Sequence, residues 1–282
     1  MTSRSVYVTG SSTGIGRAAA LHLARAGWTV FAGVRRISDG ESLVAENAGT
    51  VIPLIVDVTD TKAVAAAAAA IAAHVGTAGL DGLVNNAGIA AAAPLEFVPI
   101  DGFRHQLEVN VVGPLAVTQS VLPLLRTARG RIVNITSIGG LLAGGMLGPY
   151  HASKFALEAM TDTLRVELAP WGIEVVAIEP GQIATPIWAT SGRTADKMLD
   201  GVTGAEELYG ASIAGARRMA ASAAENGLDP IEVAKVIERA LTARKPRTRY
   251  PVGTDAKIGA AVIAKLPDRT RDRLMLRRRN PR

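Results

Sequence analysis

Tyr150 and Lys154 stand four residues apart in the chain. On a helix that spacing puts both side chains on one face. A phenol with a pKa of about 10 is ionised in only roughly one molecule in a thousand at pH 7. A neighbouring ammonium favours the phenolate and lowers that value. The pair therefore has the composition of a general acid/base tuned toward neutrality, suited to exchanging a proton with an alcohol or a carbonyl oxygen. Ser137 precedes it, just past an apolar run that reads as a strand. Sheets of alternating strands and helices bind ligands beyond such strand ends. In isolation the Tyr/Lys spacing reads better as a solvated helix pair, and only its context favours the catalytic reading.

A second cluster lies near the start of the chain, where Thr9-Gly10-Ser11-Ser12-Thr13-Gly14-Ile15-Gly16 joins a strand to a helix. Glycines allow a tight turn there and close approach of a pyrophosphate. The helix N-terminus offers free N–H groups and a positive dipole end to the phosphates. A plain βα turn is the alternative. Other chemistries find less support. The chain has no cysteine, which excludes disulfides, thiol nucleophiles and thiolate metal sites. The four histidines are scattered, so no metal site is expected. No Ser-His-Asp spacing points to a hydrolase.

The turn reads T-G-x-x-x-G-x-G, and further motifs follow in order: Asn85-Asn86-Ala87-Gly88, Asn110, Ser137, Tyr150-His151-Ala152-Ser153-Lys154 and Pro180-Gly181-Gln182-Ile183-Ala184-Thr185. Together, over residues 5 to about 253, they resemble the short-chain dehydrogenase/reductase family. The C-terminal run Arg247–Gly253 is similar to that of relatives acting on steroids or retinoids. The resemblance implies an oxidoreductase moving a hydride between a nicotinamide cofactor and a carbonyl or alcohol carbon. It assigns Tyr150 as acid/base and Ser137 as the hydrogen-bond partner of the substrate oxygen. Lys154 is to grip the nicotinamide ribose, and Asn110 to support a water-linked proton relay. Cofactor contacts are implied at Gly10, Ser12, Thr13, Gly14, Ile15 and Gly16, at Asp57 and Val58, and at Asn86, Ala87 and Gly88. Tyr150, Lys154, Pro180, Gly181, Ile183 and Thr185 complete that set. A chain that binds dinucleotide only as a sensor or scaffold is the alternative. It would be expected to lack part of the Asn/Ser/Tyr/Lys set, and all four are present.

The end of the second strand and the residues after it read Gly33-Val34-Arg35-Arg36, with no acid before Asp39. Folds that choose NAD place an acid near here for the ribose 2′-OH. A carboxylate-free site with arginine suits a 2′-phosphate instead. NADP(H) is therefore expected to be preferred through Arg35, with NAD(H) still usable. Thr13 departs from the pattern, since many NADP-using relatives carry a basic residue just before the second glycine.

These residues need a scaffold. Apolar runs at Ser5–Thr9, Thr29–Val34, Val51–Val58, Gly82–Asn85, Arg131–Thr136, Glu174–Glu179 and Thr248–Val252 read as strands covered on both faces. Helical stretches at about Ile15–Ala26, Lys62–His74, Asp101–Leu125, Tyr150–Ala169 and Ile231–Arg244 alternate with them, predicting a Rossmann-like, doubly wound parallel α/β sheet. One domain is expected over residues 1–254, with a helical substrate lid at about 186–229. Residues 255–282 form a basic extension. The net charge of +6 is misleading, because residues 244–282 hold 13 Lys+Arg against 3 Asp+Glu. The body is mildly acidic, so no nucleic-acid footprint is expected. Membrane-surface recruitment by Arg269, Arg271, Arg273 and Arg277–Arg279 is a further alternative, a solvated tail being the simpler one. The uncharged stretch Ile138–Leu147 should wall a pocket for a small apolar alcohol or ketone, by analogy steroid- or retinoid-like. In the helix around Tyr150, Leu157, Leu164 and Leu168 make one stripe, and Phe155, Ala159 and Val166 lie off it. Two apolar sides predict a homodimer or homotetramer. A cytoplasmic location is expected.

Overall fold

Strand β1 (Ser5–Val8) alternates Val6 and Val8 with Tyr7, and all three are buried. Val6 and Val8 join one core cluster and Tyr7 another. A strand whose successive side chains feed two separate cores must be covered on both faces. The computed structural model describes residues 4–46 and 48–279, with side-chain surroundings as far as Met275. The segments 1–3 and 280–282, and the side chains of Leu276, Arg277, Arg278 and Arg279, thus lie outside the described residues.

The strands that follow are β2 (Thr29–Val34), β3 (Val51–Ile55), β4 (Gly82–Asn85), β5 (Arg131–Ile135), β6 (Glu174–Pro180) and β7 (Arg249–Val252). They pair in the order β3-β2-β1-β4-β5-β6-β7, every pair parallel. The order reverses between β1 and β4, and such a switch point opens a crevice at the carboxyl ends of the strands. Helices α1 (Gly14–Arg25) and α9 (Pro230–Thr242) cover one face. The other face carries α3 (Thr61–Val75) and a long helix in two parts, α4 (Ile100–Leu107) and α5 (Gly113–Ala128). α6 (Gly148–Leu168) continues that layer. The stretches Thr61–Ala78 and Ile100–Ala128 are long and apolar enough to cross a membrane by composition alone. Here both lie in the layer against the sheet.

The structure departs from the sequence expectation in three places. A helix α2 (Ile37–Ala45) follows β2, where the sequence suggests no element. It is short, with Gly40 at its middle. A Cβ on Gly40 would stand 2.7 Å from Pro53 Cβ, so close packing on β3 rather than helix propensity selects the glycine. β3 ends at Ile55 instead of Val58, because its partner β2 ends at Val34 and Asp57 turns back to bind Thr59. The helix read as Asp101–Leu125 runs from Ile100 to Ala128 but is interrupted by a π-helical turn, Glu108–Val112.

The expected lid is helical, made of α7 (Ile187–Leu199) and α8 (Ala205–Asn226) packed on each other. Its far end returns to the loop after β6, where Ala184 N–H donates to Leu228 O and Leu228 N–H to Gln182 O, both at 2.9 Å. Beyond β7, α10 (Thr254–Ala261) buries Ala256 and Gly259 against the domain, and α11 (Asp268–Arg279) follows.

Candidate active site

Four strand ends meet at the crevice. The turn after β1 is the tightest of them. Gly10 has φ +65, and a Cβ on it would meet Ala87 Cα at 2.8 Å. A Cβ on Gly16 would lie 2.2 Å from Gly10 O and 2.4 Å from Asn86 Nδ2. The turn is thus pressed against the segment after β4. Thr9 Oγ1 accepts the N–H groups of Asn86 and Ala87, both at 3.0 Å, while Asn86 Nδ2 donates to Thr9 O and Gly10 O. Asn86 is therefore engaged with the turn's own backbone, holding its shape.

Thr13 precedes α1 in an extended conformation, and its side chain makes no capping bond. The first N–H groups of α1 consequently face the crevice without a side-chain partner. This is the cradle a phosphate group would fill. Ser12 and Ile15 flank it, partly exposed. Across the crevice, a Cβ on Gly14 would come within 3.1 Å of Thr185 Cγ2. The glycine turn and the loop after β6 therefore close on one space, and the residues present fit a dinucleotide laid across it.

At the other end of that space, Asp57 Oδ1 accepts from Thr59 N–H at 3.0 Å and Thr59 Oγ1 at 2.7 Å. Burial acts to raise its carboxyl, but the Thr59 bonds, aided by the charges of Arg35 and His105, win and hold it below the usual range. Val58 beside it is buried against Gly113. Arg35 is exposed just past β2. Arg36 lies past the end of β2. It precedes α2 and pairs with Asp39 at 3.0 Å, occupying the nearest acid.

Ser137, Tyr150, Lys154 and Asn110 come together at the ends of β4 and β5. Ser137 follows β5, its Oγ accepting Gly139 N–H at 3.0 Å. Tyr150 lies in the first turn of α6 beside it. Burial raises the Tyr150 pKa, and a hydrogen bond with Ser137 works in the opposite direction. The lowering expected from Lys154 does not figure in the protein alone. The reason is visible in the geometry, since Lys154 Nζ donates to Ile135 O at 2.8 Å and stands 5.8 Å from the Tyr150 ring centroid. Lys154 is itself buried, and burial pushes it down to about 8 against the charge of Glu158.

Asn110 sits in the π-helical turn, a distortion found mostly at functional sites. Its Oδ1 accepts Ile89 N–H at 2.9 Å, and its Nδ2 donates to Ile89 O at 3.0 Å and Ser153 Oγ at 2.9 Å. Gly88 bridges the group, its Cβ position 3.4 Å from Asn110 Oδ1 and 3.8 Å from Lys154 Nζ. Behind them, Asn85 Nδ2 donates to Asn134 Oδ1 and Thr118 Oγ1, and Asn134 Nδ2 donates to Thr161 Oγ1. This buried chain fixes β4 and β5 to α5 and α6, and so fixes where Tyr150 and Lys154 stand. Of the β6 loop, Pro180 ends the strand, and buried Ile183 accepts Trp188 Nε1 at 2.7 Å.

Two residues escaped the sequence reading. His151, given no role by the sequence, places Nδ1 3.0 Å from Gly139 O and pins the loop that follows Ser137. Burial lowers its pKa, the Gly139 bond acting against it. Asp255, counted with the basic extension, lies against Gly181. Nothing local in either sequence context announces such a contact, because both arise from packing between distant segments.

The pattern extends to known proteins. The family model of short chain dehydrogenases matches residues 4–196. Retinol dehydrogenase 5 of Homo sapiens is 40% identical over 262 residues, spanning 90% of this chain and 81% of that protein. An NADPH-dependent 3-dehydrocapnine reductase of Ornithobacterium rhinotracheale is 37% identical over 278 residues, spanning 96% and 95%. The crystal structure of a short-chain dehydrogenase from Streptomyces avermitilis superposes with a TM-score of 0.76 at 30% identity, covering 92% of this chain and 91% of that one. The chain belongs to the short-chain dehydrogenase family, as an oxidoreductase of alcohol and carbonyl groups that binds an NAD(P) dinucleotide.

Proposed function

We propose that the protein is an NADP(H)-dependent oxidoreductase that interconverts a carbonyl and a secondary or primary alcohol on an apolar substrate, with Tyr150 as general acid/base. The observation that carries this reading is the meeting of Ser137, Tyr150 and Lys154 at one strand end, beside the uncapped N-terminus of α1. The bound nicotinamide supplies or accepts the hydride. In reduction, the Tyr150 hydroxyl gives its proton to the carbonyl oxygen, and in oxidation the phenolate takes the alcohol proton. Ser137 Oγ orients the same oxygen. Lys154, held by Ile135 O, keeps a positive charge beside the phenol and grips the ribose. That charge and an oxidised nicotinamide both favour phenolate, against the burial that raises Tyr150 in the protein alone. Asn110 fixes the Ile89 backbone and Ser153, the neighbour of Lys154 in sequence, and in this reading supports the water-linked relay that resupplies the proton.

The preference for NADP(H) rests on exposed Arg35 and on the engagement of Asp39 by Arg36. The NADPH dependence of the capnine-type relative points the same way. The uncharged wall Ile138–Leu147 and the retinol dehydrogenase relatives favour a retinoid- or steroid-like substrate. On α6, Phe155 is 44% and Val166 72% exposed while Leu157 and Leu168 are buried. A homodimer or homotetramer paired through that face would cover the exposed residues. A cytoplasmic location belongs to the same proposal, and cell fractionation tests it. The deciding experiment follows reduced-nicotinamide absorbance with NADPH and NADH over a panel of lipophilic ketones, aldehydes and alcohols. Turnover of an apolar member with NADPH favoured is the expected result. No turnover across the panel, with both dinucleotides bound, would turn the reading toward a sensor.

A further inference from the structure

Gly181 was expected among the cofactor contacts, yet its nearest neighbour is a protein side chain. A Cβ on Gly181 would stand 2.1 and 2.2 Å from the two carboxylate oxygens of Asp255. That is far inside van der Waals contact, so the glycine makes room for the carboxylate. Asp255 lies in the first turn of α10, reached through Gly253 at φ +100. Its Oδ2 accepts the Gln182 backbone N–H at 2.8 Å. The flanking groups of the loop have other partners, Gly181 N–H on Val252 O and Ala184 N–H on Leu228 O, each at 2.9 Å. The same helix reaches the second active-site loop. A Cβ on Gly259 would meet Ile138 Cδ1 at 2.8 Å, directly after Ser137. One short helix from the segment after β7 therefore touches both loops that border the site.

We propose that Asp255 is a positioning residue for the loop 180–185, holding it in the form that receives the nicotinamide half of the dinucleotide, with α10 as a clasp across both loops. The proposal rests on the dinucleotide reading of the site. Asp255 touches neither substrate nor cofactor and acts through the Gln182 amide and the space beside Gly181. Residues 254–261 are on this view part of the active site's frame.

The test uses the full chain with Asp255→Ala, Asp255→Asn, Gly181→Ala and the Gly181→Ala/Asp255→Ala double variant, each first checked by thermal melting. Amide hydrogen exchange without cofactor reads the loop directly, and fluorescence titration with NADPH and with NADH reads its consequence. Asp255→Ala should speed exchange at Gln182 about tenfold and weaken dinucleotide affinity several-fold, roughly the effect of one lost hydrogen bond. Asp255→Asn should restore both toward wild type, since its side-chain carbonyl still accepts. Gly181→Ala should damage affinity strongly in the wild-type background and much less beside Asp255→Ala, the coupling expected of two residues in direct contact. Unchanged Gln182 exchange in Asp255→Ala, or equal Gly181→Ala damage in both backgrounds, overturns the proposal. If the wild type bound neither NADPH nor NADH, the dinucleotide reading would fail instead, and the exchange result would still judge the clasp.

Discussion

Glu158 should set the pH range over which the protein holds its dinucleotide, because it is the charge that opposes the burial of Lys154. The two residues are one helical turn apart on α6, both buried. Burial pushes Lys154 down to about 8, and the Glu158 carboxylate raises it against that trend. Residues four apart on a helix keep their Cβ atoms about 5–6 Å apart. Two charges at roughly 6 Å interact by about 3 kcal/mol at an effective dielectric near 20, which bounds the effect at about two pH units. Arg249 reduces it, since Nε lies 3.2 Å and Nη2 3.1 Å from Glu158 Oε2. Arg249 also pairs with Asp162 and Glu179, and Arg165 pairs with Asp162. Glu158→Gln should therefore lower the Lys154 pKa by about one unit. Arg249 keeps both Asp162 oxygens at 2.8 Å, so the substitution does not strand it. The assay is NADPH affinity against pH in the free protein. The alkaline loss of affinity should begin near pH 8 in the wild type and about one unit lower in the variant, with equal affinities near pH 6, where Lys154 is charged in both. Coincident midpoints would refute the argument.

Three further outcomes are expected. Arg35→Asp should reverse the cofactor order, removing a donor to the 2′-phosphate worth about 1.5–3 kcal/mol and offering an acceptor to the 2′-OH; kcat/KM for both cofactors measures it, and an unchanged ratio counts against Arg35. Glu179 is pushed up to about 7 from 4.5 by burial and by the charges of Glu158 and Asp162, with Arg249 opposing. Its folded pKa is raised, so its stabilisation is full below about 4.5 and is lost as pH rises through about 7. Glu179→Gln should thus gain on the wild type between pH 5 and 8, by a Tm difference of roughly 2–4 °C per kcal/mol in pH-scanned melts; a gap constant with pH contradicts this. Phe155→Arg should split the oligomer by placing an unpaired charge on the exposed α6 face, and light scattering that finds a monomeric wild type removes the basis for that interface.

The sheet and most helices were legible because each strand carries a near-continuous apolar run, as Val6-Tyr7-Val8 does, and each major helix its own period. Ser137, Tyr150 and Lys154 were legible because their spacings are local, on one helix or just past one strand. What failed was what depends on tertiary contact. Helix α2 has little periodicity and owes its glycine to Pro53. The π-helical turn at Asn110 is a departure from the regular period that composition does not encode. Asp255 reads as one acid among basic residues, and its meaning comes from Gly181, far away in sequence. The direction of the Tyr150 shift also escaped, because the i, i+4 spacing to Lys154 does not reveal the burial that raises it.

The central claim is that Tyr150 exchanges the proton while the glycine turn and Lys154 hold the dinucleotide. Tyr150→Phe deletes only the hydroxyl, and Lys154 keeps its bond to Ile135 O. The direct measurement is single-turnover hydride transfer with NADPH and a substrate that the wild type reduces, alongside NADPH affinity for the same variant. Transfer should fall at least about a hundredfold, the usual share of a positioned acid, with affinity near that of the wild type. Transfer at close to the wild-type rate would contradict the account, and would mean that the proton comes from another group.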